Sequence, residues 1–335
     1  MRDWRDAWDE ALYGAGGFFR RGERPATHFR TAPLVGPELA EALLVLLDRV
    51  DAGLGRPARL DFVDLGAGGA ELAAAVAELA GPVLRRRLRV TAVELVAPRP
   101  RDGVEWRAGL PAEVAGLLVG HEWLDAVPCP VASVHSGQVR RVLVDVTGTE
   151  TLGEPTESRW LHEWWPVRRE GDRAEIGEPR DTAWADAVRR VRAGAALAID
   201  YGHLRTDRAG RRYRAGTLAA FREGRSVSPV PDGSCDITAH VALDACAAAG
   251  EHAGATSTVL ASQRDALGAL GLAGDAPAPL WATTDPATWL TAASRAGRVT
   301  ELRDPSGLGR FGWLLQTTAG TPATELLPDL PPWCP

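Results

Sequence analysis

A chain of 335 residues with 45% hydrophobic and 24% charged residues is large enough to bury a sizeable core. Its net charge of −6 argues against a general nucleic-acid binder, which carries a basic face, and no apolar run reaches the ~18 to 20 residues that span a bilayer. The charged opening MRDWRDAWDEALYG lacks an apolar signal core, and Cys129, Cys235, Cys246 and Cys334 show neither C-x-x-C nor zinc spacing, so reduced thiols and a cytoplasmic location are expected.

A helix is expected near Trp4–Leu12, followed by the glycine turn YGAGGFF. In GPELAEALLVLLDRV the apolar positions Leu39, Leu43, Leu46, Leu47 and Val50 recur at helical spacing, and Gly36-Pro37 suits a helix start. ARLDFVDLG is a strand ending at Asp64, Ala70–Leu79 an alanine-rich helix, and RLRVTAVEL a second strand ending near Glu94. Strand, helix and strand within about 35 residues make a βαβ unit and predict a parallel sheet with right-handed crossovers. GLLVGHEWLDAVP reads as a third buried strand running into a turn and a short helix. VASVHSGQVRRVLVDV alternates around Ser136-Gly137, a hairpin signal. Residues 149–180 are polar and are expected to form an irregular excursion. TAWADAVRRVRAG reads as a helix closed by Gly194, and AALAIDYGH as a buried strand ending in Asp200. Residues 203–250 suggest a substrate-side insertion capped by a helix; SQRDALGALGL is a helix and RFGWLLQT a last strand.

The expected architecture is one α/β domain with a Rossmann-like sheet. Residues 1–58 form an N-terminal helical segment, 59–202 the core, 203–250 the insertion, 251–320 the C-terminal part of the domain and 321–335 a tail.

The stretch DFVDLGAGGAEL decides the ligand. Gly66 and Gly68 allow a tight turn and close approach of backbone to a bound molecule. A dinucleotide fingerprint starting at Gly66 would end in glycine or alanine, but that position is Glu71. A carboxylate there competes with a pyrophosphate for the helix amides and repels it, which argues against a nicotinamide dehydrogenase. A Walker loop is excluded because the chain has no lysine. S-adenosylmethionine (SAM) fits better: it has adenine and ribose, no phosphate, and a cationic sulfonium. Asp64 can attract the cationic part, the helix start can receive the methionine carboxylate, and Glu94 can accept both ribose hydroxyls. The plainer alternative is a βα turn with Glu71 capping the helix.

In order along the chain, ALYGAGGFF, HFRTAP, DLGAGGAEL, VEL, HEWLDAVP, IDYG with GTLAAFREGR, CDITAHV, SQRDALGALG and GLGRF resemble the motifs of one family. It is the mitochondrial-dysfunction-protein-A (MidA) family of SAM-dependent methyltransferases, which includes the complex I assembly arginine methyltransferase of mitochondria. The resemblance implies a class I methyltransferase fold, SAM as cofactor, and a protein side chain, such as arginine in a respiratory complex subunit, as substrate. It also places the segment with His28, Arg30 and Thr31 near the cofactor, with Gly66, Ala67 and Gly68 in the loop and Leu95 beside Glu94. Two positions depart from the family pattern. The third loop glycine is Ala70, tolerable where φ is negative, and the asparagine of N-E-x-x-D is His121, expected to titrate near pH 6.5.

Methyl transfer needs a nucleophile held in line with the methyl group and little else. Glu122 and Asp125 are the substrate-side candidates: three apart, they share a face if the segment is helical, and together they could clamp a guanidinium. His121 adjoins them, and Asp200 and Tyr201 are expected in the same crevice, with Tyr201 either touching substrate or serving as core. Asp236 and His240 would suit a metal only with a third ligand; a helix cap by Asp236 is the simpler expectation. Two other functions fit the same chain: a SAM-binding assembly factor with little turnover, motivated by Ala70 and His121, and a small-molecule methyltransferase whose insertion shapes a closed pocket.

Overall fold

The computed structural model describes residues 1–22 and 31–334. Its centre is a seven-stranded sheet. The strands are β1 (Leu60–Leu65), β2 (Leu88–Val93), β3 (Val104–Arg107), β4 (Val114–His121), β5 (Val191–Asp200), β6 (Ser257–Ser262) and β7 (Gly312–Ala319). Their spatial order is 3-2-1-4-5-7-6. β1 to β5 pair in parallel, while β7 runs antiparallel between β5 and β6.

Successive residues of each central strand feed opposite faces, so the sheet carries two apolar layers. Phe62, Leu117 and Leu197 pack with the helix Glu38–Gly53, whose Leu39, Leu43, Leu46, Leu47 and Val50 are buried as their spacing predicts. Val63, Leu118 and Ala196 face the other way, toward Trp184, Val188 and Cys246. These come from the helices Glu178–Arg190 and Leu243–His252. Thus the helix that ends the expected 203–250 insertion packs on the central sheet.

A second sheet holds Arg2–Asp3, Val131–His135, Gln138–Val144, Glu150–Pro155 and Arg173–Glu175. The expected hairpin is present, with φ +49° at Ser136 and +73° at Gly137. The expectation of irregular structure over 149–180 is corrected: Glu150–Pro155 is largely exposed and Arg173–Glu175 largely buried, and the backbone pairing of both strands outweighs their polar composition. Gly194 does not close a helix. The helix stops at Arg190 and Gly194 lies inside β5, at φ +115°, beside a register shift. A Cβ there would come within 2.1 Å of the Gly116 carbonyl, so glycine is required by a close approach of strands. β3, β6 and the helix Pro286–Leu302 were not foreseen. Among the described residues, no helix is long and apolar enough to cross a membrane.

Candidate active site

The carboxyl ends of β1, β2 and β4 meet where the strand order reverses, the place where open α/β sheets hold ligands. A cavity of about 490 Å³ lies there.

One wall is the turn after β1. Gly66 and Gly68 stand at φ +72° and +54°, a region that side chains disfavour. The amides of Gly66 and Ala67 both donate to the Val93 carbonyl, at 3.0 and 3.1 Å, which ties this turn to the end of β2. Trp123 lies across the strand tips: a Cβ on Gly66 would meet its Cδ1 at 3.0 Å, and one on Gly120 its Cε3 at 3.1 Å. Asp64 is buried, and its Oδ2 accepts from the Ala73 amide at 3.2 Å, anchoring the helix Glu71–Leu79. Burial, with Glu71 and Glu94 nearby, pushes the Asp64 carboxyl up to about 7. Glu94 accepts from the Gly68 amide (2.8 Å) and the Leu95 amide (2.7 Å). One of these bonds goes to each carboxylate oxygen, tying Glu94 both to the glycine turn and to the residue after it. Glu71 opens the helix, and its carboxylate lies 3.6 Å from the Arg101 guanidinium. Ala70 sits at φ +60°, not at the negative value expected for an alanine.

The opposite wall is the turn after β4. Glu122 adopts φ +49°, costly for a residue with a side chain, and its amide donates to the Ile199 carbonyl at 2.8 Å. Three distant groups hold this turn. Asp200, at the end of β5, accepts from the amides of Leu124 and Asp125 at 3.0 and 3.1 Å. The buried Arg180 guanidinium donates to the carbonyls of Asp125, Val127 and His240 at 2.7, 3.2 and 2.7 Å. The Tyr13 hydroxyl donates to the Ala126 carbonyl at 2.9 Å. The turn contains no helix, so Glu122 and Asp125 do not share a face.

Their side chains accordingly part. Glu122 and His121 line the cavity, whereas Asp125 lies outside its lining, 4% exposed. Asp125 accepts from the hydroxyls of Tyr201 and Thr238. The expected clamp is therefore corrected: of this pair, Glu122 alone lines the cavity. Tyr201 does not line the cavity either; it is a partner of Asp125, and Asp200 is wholly buried. Asp236 caps no helix, because Asp236–Thr238 is a strand.

Burial sets the electrostatics of this wall. It pushes Glu122, Asp200 and Asp236 well above the usual carboxylate range, and neighbouring acids push the same way. Asp125 is raised less steeply, because Tyr201, Arg180 and Thr238 favour its charged form. His121 is driven down to about 4 by burial, so it is neutral at pH 7 rather than half-titrated near 6.5. Among the described residues, Glu122 Oε1 is buried without a hydrogen-bond partner; His121 Nδ1 comes to 3.5 Å without forming one, and His121 Nε2 is likewise unpartnered.

The cavity thus gathers Thr31, Asp64, Gly66, Ala67, Gly68, Glu94, Leu95, His121 and Glu122 from the sequence-derived set. His28 and Arg30 lie outside the described residues. Tyr13, Phe19, Trp123 and Pro128 line it without having been assigned a role. All four sit inside motifs already recognised, ALYGAGGFF and HEWLDAVP, and the aromatic residues of those motifs were the available signal.

Sheet order, glycine turn and acid at the tip of β2 define a Rossmann-like domain of the SAM-binding type. The chain belongs to the family described as "Putative S-adenosyl-L-methionine-dependent methyltransferase", whose model matches residues 39–261. It is a SAM-dependent methyltransferase. The fold is shared with a protein from Burkholderia thailandensis solved with S-adenosyl-homocysteine bound (TM-score 0.81, 23% identity, covering 98% of this chain and 90% of that one). A native structure from the same organism gives TM-score 0.79 and 24% identity over the same shares. No curated protein matches the chain.

Proposed function

We propose that the chain methylates a cationic nitrogen on a protein side chain, with arginine as the acceptor, as in the MidA family whose motif order it follows. The observation that carries this reading is the Glu122 carboxyl: it lines the cavity, is buried, and among the described residues has an oxygen without a hydrogen-bond partner. A buried carboxyl in that state is a site for a charged donor.

The cavity residues fit the cofactor. Glu94 lines the cavity with a carboxylate of the kind that accepts from ribose hydroxyls, Gly66 and Gly68 present backbone without side chains, and Asp64 supplies a carboxyl for a cationic group. Thr31, Ala67 and Leu95 complete that side, and Tyr13 and Phe19 bring the N-terminal segment over it. When bound, SAM supplies an electrophilic methyl group. The remaining work is done by the chain. Glu122 accepts charge-assisted hydrogen bonds from a guanidinium and fixes its orientation. A guanidinium bound beside Glu122 favours its carboxylate over the protonated form that burial favours, and this carboxylate receives the proton that the attacking nitrogen loses as it gains the methyl. His121, neutral at pH 7, offers Nε2 as a second acceptor. Trp123 and Val127 give the cavity apolar wall that keeps these groups away from water.

The test is incubation of the purified chain and isotopically labelled SAM with a lysate, followed by mass spectrometry of protein and small-molecule fractions. Labelled methylarginine in a protein is the expected result. Label confined to the small-molecule fraction would replace the protein acceptor with a metabolite, and absence of label anywhere would favour a SAM-binding assembly factor.

A further inference from the structure

A second cavity, of about 380 Å³, lies in the wall formed by residues 165–173 and 205–214. Its lining is Trp165, Pro166, Val167 and Ala209, one acid, Asp172, and seven arginines: Arg168, Arg169, Arg173, Arg205, Arg208, Arg211 and Arg214. More than half of this wall is arginine, in a chain of 335 residues with 38 basic residues and net charge −6. An arginine-rich composition alone does not gather the cations around one concavity, because like charges repel.

Part of the charge is neutralised internally. Arg173 pairs with Glu150 at 2.6 Å, Arg208 with the buried Asp244 at 2.7 Å, and Arg211 with Asp172 at 2.9 Å. Arg208 is further committed, donating to the Trp164 carbonyl and to His203 Nδ1. Arg205 lies over the Trp164 ring, 4.9 Å from its centre, and donates to the Glu163 carbonyl, which holds its guanidinium in place. Arg168, Arg169, Arg205 and Arg214 have no carboxylate within ion-pair distance among the described residues. Among the described residues, four guanidinium groups without an ion pair thus surround a frame of three paired ones.

We propose that this cavity binds a small polyvalent oxyanion, bearing phosphate or carboxylate groups. Guanidinium forks match both groups bidentately. A cavity of about 380 Å³ is the size of a small-ligand site. None of its lining is shared with the methyl-transfer cavity, so the proposal stands independently of the acceptor assigned above.

The experiment is titration calorimetry of the full chain with inorganic pyrophosphate and, separately, with citrate. Sodium chloride at equal ionic strength serves as the screening control. At least one of the two is expected to bind at one site per chain, and the tighter names the anion class. The double variant Arg168→Ala/Arg214→Ala removes two exposed side chains that are free of ion pairs. It should weaken binding roughly ten- to hundredfold, while Arg86→Ala, on the surface elsewhere, should leave it within about twofold. Absence of binding by both anions overturns the proposal, as does equal affinity in wild type and double variant. A single-stranded oligonucleotide that binds more tightly than either anion, and loses that binding in the double variant, would also overturn it in favour of a nucleic-acid surface.

Discussion

The turns after β1 and β4 stand at neighbouring strand tips and face each other across one cavity, yet they are stabilised by opposite means. The first is local: Gly66 and Gly68 take two of its three positive φ values, Ala70 takes the third, and its polar bonds go to the end of β2 and the start of its own helix. The second is assembled from afar. Its strained residue is not glycine but Glu122, and the groups that hold it, Tyr13, Arg180 and Asp200, come from three other parts of the chain. A turn that carries its own conformational permission can be read from ten residues. One imposed by tertiary contacts cannot, and that is the wall on which acceptor chemistry is proposed to occur.

The comparison breaks most visibly at Glu122. Glu122→Ala should lower methyl transfer by roughly 10²- to 10⁴-fold while leaving cofactor affinity unchanged, as rates of S-adenosylhomocysteine formation and titration calorimetry would show. Glu122→Gln keeps the shape and the φ demand but neither charge nor basicity, so it should lose nearly as much rate. Wild-type turnover in either variant would mean the second wall only shapes the cavity.

The first wall predicts the reverse pattern. Glu94→Ala and Asp64→Ala should each weaken SAM binding by about 1 to 3 kcal/mol, the scale of a lost charge-assisted hydrogen bond. Saturating cofactor should restore most of the rate in Glu94→Ala, because that side chain is assigned to binding. Affinity unchanged in both variants would place the cofactor elsewhere.

That asymmetry also marks how far the sequence could be read. The strand–glycine–helix unit, Glu94 and the leucine face of Glu38–Gly53 were all legible, because each rests on near neighbours or on a simple period. In the second sheet only the hairpin around Ser136-Gly137 was legible; Glu150–Pro155 is polar and largely exposed, with no apolar alternation to mark it, and Arg173–Glu175 acquires its structure from Val131–Ser133, some forty residues away. Gly194 was misread for the same reason: a glycine after a helical pattern signals a stop, but here it answers a backbone approach from β4. HEWLDAVP was legible as a motif, yet its geometry was not. Nothing local says that Glu122 lines the cavity while Asp125 turns inward to Tyr201 and Thr238.

A pH series sharpens the comparison by isolating Asp64. With its folded value near 7 and its unfolded value near 3.8, the folded chain holds a proton that the unfolded chain has lost between these limits. This group therefore lowers stability progressively as pH rises from about 4 to about 7, and the effect is constant above. A cation beside Asp64 favours its charged form, so SAM affinity should rise with pH up to about 7, by at most about tenfold per unit, then level off. Asp64→Asn should flatten that rise, and an unchanged slope in this variant would assign the pH dependence to another group.

The smallest expected effect tests whether the first wall is as self-sufficient as its glycines suggest. Ala70 stands at φ +60°, wholly buried, just before the helix Glu71–Leu79. An L-residue in that region costs about 1 to 2 kcal/mol, which glycine would relieve. Glycine also gives up about 0.5 to 1 kcal/mol in chain entropy and the burial of one methyl, worth about 0.8 kcal/mol. The terms nearly cancel, so Ala70→Gly should shift the melting temperature by no more than about 3 °C in either direction. The Ala70 amide already donates to the Ala67 carbonyl at 2.7 Å, and its side chain does not line the cavity, so SAM affinity should stay within about twofold. A marked gain in affinity on introducing glycine would show that the alanine holds the loop away from its binding geometry. Strain would then limit the first wall as it does the second, and the contrast between a self-contained turn and an imposed one would fail.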